Sequence, residues 1–398
     1  MSPRPHLLPT LFAPLIACAP DPPSAAHTPP LVTDSAGIRI VTYDHAATAA
    51  APIRLAPQPR YRHGAGPGDY TFQEITVGRL LSDGRAVVYD PWIVEAVVLG
   101  ADGATYQVLA AEGEGPGEVN YVDDMFVLGQ DSILMADPGL GRATLFVGDS
   151  VARMSNLPRG LRMDVEGVAP SGELLMATAF GEWGFEGAWL AGHMARLDDD
   201  TGSLDTVASF DFFPRIPPGL QWNPIGAVGE VTVAAGHFVH TRSDTPEVTW
   251  RLADGTITQT VRWQAKPALL TEEWLDPIEA EHRRGVRMHQ PDLSDARIAE
   301  ATRANMSAYR ASMGRPMPLF ASPFADAEGR VWLPSYKPGG ELKSAPPYTV
   351  IAPDGQWLGT VEAPPGFRVL DVAHELVLGV ARDEMDVESV VVYELIGG

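Results

Sequence analysis

Cysteine is nearly missing from this 398-residue chain: Cys18 stands alone, which excludes an intrachain disulfide and a thiolate zinc site. Basic residues are scarce too. With 29 Lys and Arg against 51 Asp and Glu the net charge is −22, so no cationic excess exists to displace counterions from phosphates, and nucleic acid is excluded as a partner. The apolar stretch from Leu7 to Ala17 falls short of the ~20 residues that a membrane-spanning helix needs. G-x-S-x-G, H-E-x-x-H and Walker sequences are absent. His237 and His240, three apart on an expected strand, point to opposite faces and cannot share a metal. Asp198-Asp199-Asp200 before Thr201-Gly202 departs from the Ca²⁺-loop pattern and reads as a hairpin tip.

What the chain has in quantity is turn residues. Its 39 Gly and 36 Pro, with 45% hydrophobic content, fit many short strands joined by tight turns around a large core. The N-terminus carries a different signal. Arg4, the apolar run and Leu15-Ile16-Ala17-Cys18 resemble a signal peptide ending in the lipobox of bacterial lipoproteins, which implies lipidation of Cys18. At ~0.8 kcal/mol per buried CH₂, several acyl chains would hold the protein to a membrane without a spanning helix. Residues 1–18 are therefore expected to be the leader. Residues 19–36, rich in proline, form an extended tether, and folding starts near Gly37.

The stretch Gly113-Glu114-Gly115-Pro116-Gly117-Glu118 invites comparison with a phosphate-cradling loop. It fails that comparison: the glycine spacing is wrong, Pro116 removes a donor, and Glu114 and Glu118 would repel an anion. It is instead one copy of a repeat, because Gly64-Ala65-Gly66-Pro67-Gly68-Asp69 has the same pattern and both are followed by an apolar strand ending in Asp-Pro. Aligned on that strand, six units emerge: RAVVYD at 85, SILMAD at 132, ELLMAT at 173, HFVHT at 237, RVWLPS at 330 and ELVLGV at 375. Third strands follow each (EAVVLG, ATLFV, HMARLD, EVTWRL, YTVIA, ESVVVYEL), and Asp-Gly turns at 102, 254 and 354 lead into fourth strands. Four antiparallel strands repeated six times define an all-β, six-bladed β-propeller over residues 37–398. The last unit lacks a strand, so the N-terminal strand GIRIVTY at 37–43 is expected to complete it and close the ring.

DSAGIRIV, the two G-x-G-P-G-[DE] stretches and the ending LGVARDEMDVESVVVYEL resemble the six-bladed β-propeller lipoproteins of bacteria, relatives of NHL-repeat propellers. The resemblance covers everything after the leader and implies fold and export rather than a reaction. Blades three and five lack the glycine motif, and the aspartate ending strand two in the first two blades becomes Thr178, Thr241 and Ser335 later.

In a four-stranded meander the two-to-three connection lies at the same end as the passage to the next blade. All long excursions belong to that end: residues 180–189, 210–222, 336–347 and the insert at 271–313, which reads as helical with Thr271 as N-cap and Gly314 as stop. Loops on a rigid scaffold carry binding, so Trp92, Trp183, Phe185, Trp189 and Tyr336 become candidate ligand contacts, beside Asp90 and Asp137 at the mouth of the channel. The two aspartates have two readings, as caps of strand ends or as oxygen ligands for a divalent cation, the one cofactor considered. Glu279 and His282 form an isolated E-x-x-H pair, and Arg283, Arg284 and Arg287 a solvated helix face. The favoured reading is an exported, membrane-anchored scaffold binding a small molecule, glycan or protein on its loop-rich face. The alternative is a metal-dependent hydrolase or lyase of the propeller lactonase and lyase kind.

Overall fold

In the computed structural model the described residues are 29–44, 53–64, 66–129, 131–158, 163–178, 185–186, 188–198, 201–216, 222–338, 346–383 and 387–397. Six antiparallel sheets succeed one another along the chain, and each begins with an inner strand: Val77–Leu80, Asp124–Val127, Met163–Val168, Gly229–Ala234, Phe324–Ala325 and Phe367–Ala373. The inner strands touch from blade to blade, the Ala327 N–H bonds to the Val372 carbonyl between blades five and six, and Phe367–Ala373 returns to Val77–Leu80. The result is a closed six-bladed propeller.

Strand two of each blade is buried on both faces, because each sheet is sandwiched between two neighbours. All five residues of Ala86–Asp90 are buried, which explains why these strands read as continuous apolar runs instead of alternating ones. Among the described residues six apolar clusters each join two adjacent blades, such as Val87, Tyr89 and Ala96 against Met125, Met135 and Phe146. Burying side chains of this size contributes ~1.5–3 kcal/mol each, so the ring is held by its blade interfaces. No helix of the described residues is long and apolar enough to cross a membrane.

The N-terminus does close the last blade, but not with the expected segment. Tyr61–His63 pairs with Val390 to Val392, and Arg54–Leu55 with Leu395 and Ile396. Ile38–Tyr43 lies elsewhere. It runs parallel to Ile257–Trp263 on the outer edge of blade four, and Leu31–Ser35 folds back on it, giving that blade six strands. The Tyr43 hydroxyl fixes the position: it donates to the Gly355 carbonyl (3.0 Å) and accepts from the Trp357 N–H (2.9 Å) in blade five. The expected tether therefore includes ordered strand from Leu31 onward.

The helical insert consists of two helices, α1 (Leu275–His289) and α2 (Asp295–Ala311), between the last strand of blade four and the first of blade five. Their apolar sides, Ile278, Met306 and Tyr309, meet Ile225 from the preceding inter-blade crossing and Tyr336 from blade five. Topology puts this small satellite core over the elaborated end of the ring.

Candidate functional site

The glycine motif binds its own acid. Asp69 Oδ2 accepts the N–H groups of Gly64 (2.9 Å) and Gly66 (2.8 Å), and Glu118 Oε2 accepts that of Gly115 (2.6 Å). An internal carboxylate thus fills the place an anionic ligand would take.

Asp90 and Asp137 are engaged in the same manner. Asp90 is fully buried, and its oxygens accept the N–H groups of Gln73 (2.6 Å), Glu74 (3.3 Å), Trp92 (3.0 Å) and Ile93 (3.2 Å). Asp137 accepts from Asn120 (2.7 Å), Tyr121 (3.2 Å) and Leu140 (2.8 Å). Each carboxylate ties its strand end to the chain arriving from the previous blade. Their lone pairs are spent on backbone, as the capping reading expects, and neither residue lines the two cavities described below.

The described aromatic candidates, Trp92, Trp189 and Tyr336, each have separate partners. Trp92 is 55% exposed and its indole N–H donates to Glu74 Oε2 at 2.6 Å. Trp189 lies beneath the guanidinium of Arg242, 4.8 Å from its ring, and Arg242 is paired to Asp211 and Asp244. Tyr336 donates to the Pro224 carbonyl and supports the helical insert, and burial pushes its hydroxyl pKa up. Phe185 pairs with Leu190 through backbone, while its side chain, Trp183 and Cys18 lie outside the described residues. In the insert, Glu279 pairs with Arg283 (2.8 Å), Arg287 pairs with Asp295, and His282 approaches Thr302 (3.4 Å). These partners leave the E-x-x-H pair as helix-surface chemistry.

A different group of acids lies where the inner strands face one another. Two cavities share Glu166 and Pro323 as border. The smaller, about 340 Å³, is a recess between blades three, four and five, lined by the starts of inner strands and by the ends of strands two and four of blade three (Ala177, Phe210, Phe212 and Phe213), which places it toward the elaborated end. Asp164, Glu166 and Glu230 line it with Phe210, Phe212, Phe213 and Ser322, and among the described lining residues none is basic. The larger, about 630 Å³, borders all six inner strands and reaches the strand-one-to-two turns at Ser82, Gly129, Gly236, Ala327 and His374, hence the plain end.

Local structure aims these acids. Between Val165 and Gly167 the pairing with Leu174–Thr178 slips by one residue, which leaves Glu166 as the extra residue of a β-bulge. A bulge re-aims its side chain out of the regular alternation. Gly167 permits this, because a Cβ there would come within 2.6 Å of Val233 in blade four. Gly229 does likewise for the opposite wall: a Cβ there would sit 1.6 Å from the Asp211 carbonyl oxygen.

The recess is electrostatically uncompensated. Burial first, then repulsion from Asp164, Asp124 and Glu230, pushes the Glu166 carboxyl well above the usual carboxylate range. Burial pushes Glu230 up to about 7, against the Ser322 hydroxyl that donates to its Oε1 at 2.8 Å. Asp371, in the larger cavity, is pushed up to about 6 by burial, with Arg79 opposing. Asp124 nevertheless exposes 31% of its side chain, so burial there is partial. No group of three His, Cys, Asp or Glu among the described residues is arranged to hold a metal ion.

No family model matches the chain, and no curated protein matches it. Solved structures similar to it include a Bacteroides fragilis protein described as a candidate exported protein, 10% identical over 89% of this chain and 98% of that one, with a TM-score of 0.48. A DUF4221-family member from Bacteroides vulgatus is 10% identical over 87% and 99%, TM-score 0.48. Virginiamycin B lyase from Staphylococcus aureus is 10% identical over 86% and 97%, TM-score 0.36. Likeness at this level carries no argument about ligand or reaction, and the six blades rest on the strand order above.

Proposed function

We propose that the protein is a binding scaffold whose ligand is a small organic cation, an amine or guanidinium, received in the axial recess between blades three, four and five. One observation carries this reading. Asp164, Glu166 and Glu230 converge on a recess walled by Phe212 and Phe213, with no basic residue among its described lining. Carboxylates without counter-charge are stabilised by an incoming cation, and ring faces add cation–π attraction of ~0.5–2 kcal/mol. The volume suits a small ligand. No group of three His, Cys, Asp or Glu among the described residues is arranged to hold a metal ion, and an extended cation needs no such close grouping. Export and anchoring through Cys18 belong to the same proposal and are supported by the lipobox-like Leu15-Ile16-Ala17-Cys18.

Calorimetric titration tests it. 1,5-Diaminopentane should bind at one site at pH 8, while glucose and Ca²⁺ should not. Absence of amine binding, or equal binding by Glu166→Gln, would overturn the reading. For the anchor, metabolic labelling with a palmitate analogue should mark the full chain and not Cys18→Ser.

A further inference from the structure

The larger cavity contains one Lys or Arg among its described lining residues, Arg79, and that side chain is held as a bound cation would be held. Its Nη2 donates to Asp124 Oδ1 at 2.5 Å, and its Nη1 donates to the carbonyls of Gly78 (2.9 Å) and Leu370 (3.4 Å). The Phe126 ring lies 5.9 Å from the guanidinium carbon. Asp371, with one oxygen on the Leu80 N–H, completes the negative surroundings. A carboxylate, carbonyl oxygens and an aromatic face are the elements that recognise an organic cation. The recess on the other side of Glu166 offers carboxylates and phenyl rings without such an occupant.

We infer that Arg79 is a built-in occupant of the plain-end half of the channel, and that it determines specificity by making the cation site one-ended. This rests on the recess being an amine site. With Arg79 in place, Asp124 is neutralised and a ligand's positive charge finds partners only as far as Glu166. A short diamine and a long polyamine then gain the same contacts from their leading amine, and added length brings nothing. Without Arg79 the acidic wall would continue through Asp124 and Asp371 toward the plain end, and a second ammonium on a long chain would find them.

The test compares 1,5-diaminopentane with spermine on the wild type, Arg79→Met and Arg79→Lys. The wild type and Arg79→Lys should bind the two amines within about threefold of each other, and Arg79→Met should gain on the order of tenfold for spermine while changing little for the diamine. A readout independent of the recess is rescue with methylguanidinium. At millimolar concentration it should raise the melting temperature of Arg79→Ala by several degrees at pH 8, the pH of the amine titrations. It should leave the wild type and Arg79→Ala/Asp124→Asn unmoved. If Arg79→Met gains no preference for spermine, or gains equally for both amines, or if methylguanidinium stabilises all variants alike, Arg79 is only a structural clasp. If no amine binds the wild type but methylguanidinium rescues Arg79→Ala selectively, the recess reading fails and the occupant role of Arg79 stands.

Discussion

In blades one and two the acids Asp69, Asp90, Glu118 and Asp137 each accept backbone N–H groups of the loops around them. In blades three and four Asp164, Glu166 and Glu230 face the axis, and only Glu230 among them has a described hydrogen-bond partner, the Ser322 hydroxyl. The first pair of blades carries the repeated motif, and the second is where the motif is lost and a bulge, a helical insert and long crossings enter. Repetition here marks carboxylates that are satisfied internally and serve folding. Its interruption marks those left for something else.

Substitutions separate the two kinds of acid. The largest expected effect is on stability: Asp90→Ala leaves four N–H groups without their acceptor and should cost about 3 kcal/mol in denaturant unfolding, with amine affinity of the folded fraction unchanged. Loss of amine binding on replacing Asp90 would instead erase the distinction. Next, Glu166→Gln should weaken 1,5-diaminopentane by about thirtyfold, or about 2 kcal/mol, without lowering the melting temperature, since it removes a charge that the fold does not pair.

The pH dependence sharpens the contrast further. Glu230 has a folded pKa of about 7 against an ordinary 4.5, so between those values the unfolded chain has lost a proton that the empty folded protein still holds. Stability of the unliganded protein should therefore fall as pH rises through this window, Asp371 adding the same sign up to about 6, and Glu230→Gln should flatten the slope. Amine affinity should move the other way and rise on the order of tenfold from pH 5.5 to 8, because the cation needs the ionised acid. The smallest effect concerns the N-terminal hairpin. Tyr43→Phe removes a hydroxyl with a donor and an acceptor partner in blade five, and should cost about 1 kcal/mol.

Strands two and three were legible because burial on both faces makes them long apolar runs, as in Ala86–Asp90 and Glu388–Ile396. The closing strand was not. Ile38–Tyr43 has the stronger strand pattern but lies on an outer edge of blade four, and nothing in its alternation distinguishes that edge from the one on blade six. Arg54–Leu55 and Tyr61–His63 do close the ring, but they are too short to show a period. Buried His63 helps hold that closure: its Nδ1 lies 2.8 Å from the Gly103 carbonyl, and its Nε2 accepts the Tyr70 N–H.

The candidate site was the least legible part. Strand-end aspartates and exposed aromatics do not point to it: Asp90 and Asp137 cap strands, and Tyr336 braces the insert. The inner strands are short and carry charge, as in MDVEGV and GEVTVA, which works against reading them as strands. The usable signal was Asp164 and Glu166 near a glycine turn, acids where strand one of a blade had to be.

Proton counting during amine binding tests the central claim most directly. Titrations of 1,5-diaminopentane at pH 7 in buffers of different ionisation enthalpy should show release of on the order of half a proton per ligand, as Glu230 ionises to meet the cation, and Glu230→Gln should reduce that release. Binding without proton release, or with proton uptake, would contradict the account.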